Sequence, residues 1–82
     1  MPRKYSDASI QDFYKCIGEN VKKTRESRGI TQLELSNRLG YKSISVISKA
    51  ELCLENKHFN LDQLYRIAKE LNIDLCDLIK IS

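Results

Sequence analysis

Apolar residues recur every three to four positions along most of the chain, with polar residues filling the intervals, which is the period of helices that bury one stripe. In the first such segment Ile10, Phe13, Ile17 and Val21 share a face, Tyr14 flanks them, and charged residues hold the other side up to Arg28. Gly29 then supplies a left-handed cap. Thr31 followed by Glu34 is a T-x-x-E capping box, so a second helix opens at Gln32, carries Leu33, Leu35 and Leu39, and stops before Gly40. Ser43 is placed to cap a third short helix in which Ile47, Ala50 or Glu51, and Leu54 share one face. No period holds from Leu52 to Phe59, which reads as a loop or a fraying helix end followed by a loop. Asn60 caps a strongly periodic fourth helix with Leu61, Leu64, Ile67, Ala68 and Leu71 facing inward, and Asn72 ends it. Asp74 opens a last short helix, Leu75 to about Lys80. Strand patterns are nearly absent. The expected fold is all-α, five helices in one domain over 10–82, preceded by a mobile polar arm over 1–9.

Size narrows the function classes. A chain of 82 residues with 41% hydrophobic content builds one small core, and a domain of this size buries only about 60–65% of the surface its unfolded chain exposes. That leaves no room for an enclosed pocket with lid and cofactor, and no nucleophile and base fall at a plausible spacing, so no enzyme is expected. Cys16, Cys53 and Cys76 form no CxxC pair and leave an odd one over, which fits neither a disulfide framework nor a zinc site. They read as inert, buried or half-buried thiols in a reducing cytoplasm. His58 is the only histidine, so no metal is expected; a loop histidine with a local hydrogen bond is the plain reading. No apolar run approaches the roughly 20 residues needed to span a bilayer, and the opening residues lack the apolar stretch of a signal peptide. The four tyrosines are scattered and offer no stacking platform for single strands.

Charge adds a direction. The net charge of +3 is unevenly spread. Residues 1–50 carry ten basic and five acidic side chains, a balance of +5, whereas 51–82 carry four and six, a balance of −2. The first part can face a polyanion and the second cannot. Two helices of about eight residues are unstable alone, so the longer helices must hold them. The second of the pair is then presented as a ridge, the shape that fits a major groove about 12 Å wide.

The segments I-G-E-N-V at 17–21, Arg25, the run from Gly29 to Gly40 with T-Q-L-E-L at 31–35, Ser43, I-S-K-A-E at 47–51 and I-A-K-E-L at 67–71 together resemble the Xre/Cro family of helix-turn-helix repressors. The resemblance covers residues 17 to about 79 and puts the helix-turn-helix at about 32–51. It implies a five-helix domain that binds a pseudo-palindromic double-stranded DNA operator as a homodimer, with the third helix in the major groove. By the same resemblance Gln32 clamps a phosphate with its side chain near the start of the third helix, Leu35 and Leu39 are core, Ser36 replaces the usual alanine, and Arg25 pairs with Glu51. That pairing needs one extra turn residue among Tyr41, Lys42 and Ser43. Without it Lys49 would point into the core, and a charge buried alone costs several kcal/mol.

In this register Ile44, Ser45, Ser48 and Lys49 face the bases. Lys49 can donate to guanine O6 and N7, the serines can bond to either base or to phosphate, and Ile44 can pack on a thymine methyl. The competing reading makes Ile44 a staple against Tyr41 or Leu54. Lys42, Ser43, Asn56 and Lys57 join Gln32 as phosphate-binding candidates, although the loop 52–59 lacks the glycine and proline of the family's E-x-G-K-x-x-P-S connection. Leu75, Leu78, Ile79 and Ile81 carry more apolar surface than a short end helix buries alone and read as a dimer seam, with packing against the first helix as the alternative. The functional expectation is a cytoplasmic, bacterial or phage-encoded repressor, Cro-like or restriction-modification-controller-like, with no cofactor, small-molecule ligand, membrane partner or following sensor domain. A protein-interaction module of the same fold, an antitoxin or antirepressor partner with weak DNA reading, is the alternative.

Overall fold

Caps and glycines decide where each helix starts and stops in the computed structural model, which describes residues 6–81. Helix α1 runs Asp7–Ser27, and the Ser6 hydroxyl caps it by accepting from the Ser9 amide at 3.1 Å. The expected arm over 1–9 is corrected here: Asp7, Ala8 and Ser9 are helical, because a serine cap with an acid in the first turn favours that start. The rest of that expectation, at 1–5, lies outside the described residues. Gly29, with φ +69°, closes α1.

Helix α2 covers Gln32–Leu39. The Thr31 hydroxyl accepts from the Glu34 amide at 3.0 Å, but the Glu34 carboxylate turns away to accept from Arg38 at 2.6 Å. Only half of the capping box forms. Gly40 then takes φ +79° and turns the chain toward α3, Ser45–Leu52. Ser43 was expected to cap that helix, but the N-cap is Ile44, which makes no side-chain cap hydrogen bond; the Ser43 hydroxyl, one residue earlier, accepts from the Ser45 amide at 3.2 Å. Cys53, at φ +55°, ends it, so Leu54 leaves the buried face it was expected to share and stands exposed in a 3-10 turn, Leu54–Asn56.

Helix α4, Leu61–Leu71, has a complete capping box: Asn60 Oδ1 accepts from the Gln63 amide at 2.7 Å and Gln63 Oε1 from the Asn60 amide at 2.9 Å. Leu64, Ile67, Ala68 and Leu71 are buried, but Leu61 is 71% exposed, contrary to the expected stripe. Phe59, just before the cap, fills the core in its place at 3% exposed. Asn72 ends α4 at φ +55°, and the short α5 follows at Leu75–Leu78.

The core joins Ile17 and Val21 of α1, Leu35 of α2, Ile47 and Ala50 of α3, the α4 stripe, Ile30, Phe59 and Leu78. Ile10 and Phe13 remain partly exposed because the first turns of α1 run past the core, and Leu33 is exposed on the outer side of α2. Leu39 and Tyr41 pack on the core from its edge. The α5 end is tied to α1 by Asn20, whose side-chain amide donates to the Leu78 carbonyl at 3.0 Å and the Lys80 carbonyl at 2.8 Å. Cys16 and Cys53 are half-buried; Cys76, expected to be sheltered, is exposed. Among the described residues no helix is long and apolar enough to cross a membrane.

Candidate nucleic-acid interface

Two devices fix α3 against the rest of the molecule. The first is Gly18 in the middle of α1: a Cβ built there would lie 2.5 Å from the Glu51 carbonyl oxygen and 2.8 Å from that of Ala50. The absence of a side chain therefore lets the two helix backbones touch. The second is a buried ion pair. Arg25 donates from Nε to Glu51 Oε2 at 2.8 Å and from Nη2 to Oε1 at 3.1 Å. Its Nη1 donates to the Ile30 carbonyl at 2.8 Å, and Gln32 Nε2 donates to Glu51 Oε1 at 3.0 Å. Every charged atom thus has a partner, which is the condition for burying such a pair. The Glu51 hydrogen bond, against a smaller opposing effect of burial, holds the Arg25 guanidinium above its ordinary pKa.

With Ile47, Ala50 and Glu51 turned inward, α3 presents Ile44, Ser45 and Val46 to solvent and Ser48 and Lys49 half-exposed. The hydroxyls are tied to one another and to the backbone: Ser43 and Ser45 lie 2.7 Å apart, and Ser48 Oγ donates to the Ser45 carbonyl at 3.4 Å. Lys49 Nζ sits 2.5 Å from Glu55 Oε2. Hydrogen bonding to Lys49, with smaller help from its charge and that of Lys57, holds the Glu55 carboxyl below the usual carboxylate range. A groove of about 290 Å³ runs beside α3, lined by Ser45, Val46, Lys49, Ala50, Lys57, His58 and Gln63. An exposed helix edge beside a groove lined by Lys49 and Lys57 suits an anionic duplex.

A family model described as helix-turn-helix matches residues 21–78, well over half of the chain. The chain belongs to this helix-turn-helix family, of the Xre/Cro type. It is therefore a DNA-binding helix-turn-helix regulator. Searches of curated proteins and of solved structures gave no significant match.

Within this helix-turn-helix frame, several expected residues lie elsewhere than the sequence suggested. Gln32 is under the end of α3, on Glu51, rather than near its start, and only its second amide hydrogen remains for a phosphate. Leu78 is fully buried in its own chain and so is not available for the expected dimer seam, while Leu75 is half-buried against the core. Ile79 and Ile81 remain exposed at 36% and 67%. Ile79 lines a largely apolar groove of about 330 Å³ together with Phe13, Tyr14 and Leu61. His58, expected to make a local hydrogen bond, instead stacks on Tyr14, ring centroids 3.7 Å apart and planes 8° from parallel. That stack pins the segment carrying Lys57 to α1. Lys42 and Asn56 are exposed on either side of α3.

Four contributors escaped the sequence reading: Gly18, Val46, Glu55 and the Tyr14–His58 stack. A lone glycine inside a helical pattern signals close backbone approach, so Gly18 was findable. Glu55 was not, because helical charge pairing links residues three or four apart and this pair spans a chain reversal.

Proposed function

We propose that this regulator is a sequence-specific repressor that binds a pseudo-palindromic operator as a homodimer, with α3 in the major groove. The observation that carries the reading is the outward edge of α3, with Lys49 on it, held rigidly by Gly18 and by the Arg25–Glu51 pair. Lys49 donates to a guanine edge, Ser45 and Ser48 rotate their hydroxyls to a base or phosphate, and Ile44, with Val46, packs on thymine methyls. Lys42, Ser43, Asn56 and Lys57 bind phosphates and set register, and Gln32 adds its second amide hydrogen. Ile79 and Ile81 meet a second copy, joined by Phe13 and Leu61 of the same apolar groove. Repression follows from occupying a site that polymerase needs, in a bacterial cytoplasm.

A second reading, a protein-interaction module of the same fold, draws on one observation. The serine hydroxyls of α3 and the Lys49 ammonium already have internal partners, which leaves Ile44 and Val46 as the freest side chains on that edge. Selection of bound duplexes from a random pool separates the two. Enrichment of a two-half-site palindrome supports the repressor; salt-sensitive binding with no consensus overturns it in favour of the interaction module.

A further inference from the structure

The cation on the outward edge of α3 has an internal claimant. Lys49 Nζ and Glu55 Oε2 are 2.5 Å apart, and their side chains are 38% and 62% exposed. Glu55 lies beyond the end of α3 and comes back over it because the backbone takes φ +55° at Cys53 and +54° at Glu55; Asn56, at +60°, continues the same left-handed run. None of these residues is glycine, so the reversal is a specified conformation and not the default of a free chain. The carboxylate also feels the charge of Lys57, which lines the groove beside α3 together with Lys49. It therefore acts on two lysines that a duplex would use, in contact with the first and through charge alone on the second.

We propose that Glu55 is an internal counter-ion that holds Lys49 in the free protein and must be displaced before Lys49 engages DNA. The proposal rests on the reading of α3 as the base-contacting helix. Non-specific binding is almost wholly a matter of lysines and arginines neutralising phosphates and releasing counter-ions. An ammonium already neutralised by a carboxylate drops out of that count, and the carboxylate repels phosphates that approach. A guanine edge in register offers O6 and N7 together, a better-aligned replacement than a loosely placed phosphate. Glu55 thus weakens wrong complexes more than the right one, widening the ratio between them. The pair is exposed enough for an incoming duplex to open it, since surface ion pairs are weak.

The test is Glu55→Gln, which keeps size and backbone, compared with the unaltered protein by fluorescence anisotropy on the selected operator and on a scrambled duplex across a potassium chloride series. Affinity for the scrambled duplex is expected to rise about 3- to 10-fold near 0.1 M salt, and the log–log salt slope to steepen by about 1. The preference for the operator falls several-fold. In a Lys49→Ala background the same change is expected to lose most of its effect, because Glu55 acts through Lys49. Unchanged slope and preference in Glu55→Gln, or an effect that persists in full without Lys49, overturns the inference alone. Unaltered protein that binds no duplex overturns the base-reading function and this inference with it.

Discussion

Gly18 and Glu51 are in backbone contact: a methyl group at Gly18 would stand 2.5 Å from the Glu51 carbonyl oxygen, well inside any tolerable separation. The same glutamate carries the carboxylate that Arg25 holds, so the position of α3 depends on a backbone contact and a side-chain contact at one residue.

Gly18→Ala forces α1 and α3 apart. Helix propensity alone would favour alanine by about 1 kcal/mol, but overpacking against rigid carbonyls costs about 1–3 kcal/mol or more and acts on the helix proposed to read DNA. Net destabilisation of about 1–2 kcal/mol is expected, or roughly a 5–15 °C fall in melting temperature for a domain of this size. Thermal unfolding followed by circular dichroism checks the first part, and a loss of operator affinity in protein still folded at 20 °C checks the second.

Arg25→Met leaves the Glu51 carboxylate buried with only Gln32 beside it. Breaking a buried pair from one side costs about 3–5 kcal/mol, whereas replacing both members by apolar residues of similar volume is often neutral. The double variant Arg25→Met with Glu51→Leu is expected to be more stable than either single variant. Urea titrations of all three decide it; a double variant no better than Arg25→Met would mean that the pair positions the chain in a way apolar packing cannot replace.

Ser36 sits fully buried where α2 meets the core, and its hydroxyl has no hydrogen-bond partner among the described residues. An unmet buried hydroxyl costs about 1–3 kcal/mol. Ser36→Ala should therefore stabilise the protein by about 1 kcal/mol, seen as a higher urea midpoint with an unchanged slope. A lower midpoint would show that the hydroxyl does find a partner.

Helix limits were legible because their causes are local: a capping side chain, a period of 3.6 and a glycine can be read within a few residues. Thr31, Gly40, Asn60 and Asn72 all act where the pattern places them. Faces were harder at the ends of elements. Leu61 and Leu78 show why, since a first-turn residue can lie beyond the core, and a four-residue helix has too few positions for a stripe to choose a side. The Leu78 burial depends on Asn20, far away in sequence, holding the carbonyls around it. In the candidate site, residue types on α3 could be read from register, but their partners could not. The serines' mutual bonds depend on rotamers, and the Lys49–Glu55 pair depends on left-handed backbone at residues that seldom adopt it.

Cys53 is the clearest of those. It stands two residues after Glu51, where the family's connection has its glycine, and it keeps the left-handed conformation that glycine would adopt freely. That conformation costs a residue with a Cβ about 1–2 kcal/mol, part of which glycine gives back through its freer unfolded chain. Cys53→Gly is expected to stabilise by about 0.5–1 kcal/mol. Cys53→Ala, which keeps the strain and loses the thiol, is expected to give no gain, and equal melting temperatures for the two variants would show that strain at this residue is not felt.

The Lys49–Glu55 pair has a pH signature independent of DNA. Hydrogen bonding to Lys49 comes first and its charge second in lowering the Glu55 pKa, with Lys57 adding to them and His58 lining the same groove. A carboxyl whose folded value is lowered favours the folded state above its unfolded value and loses that contribution as pH falls through the folded one. The window thus lies at and below the ordinary carboxylate range, and at neutral pH the pair is intact. The Glu55 side-chain carboxyl carbon, followed by NMR from pH 7 downward, should titrate below a free glutamate in the unaltered protein. Lys49→Ala should move it back toward the ordinary range, leaving only the weaker pull of Lys57. A midpoint that ignores Lys49 would mean that the carboxylate is held by something other than this lysine.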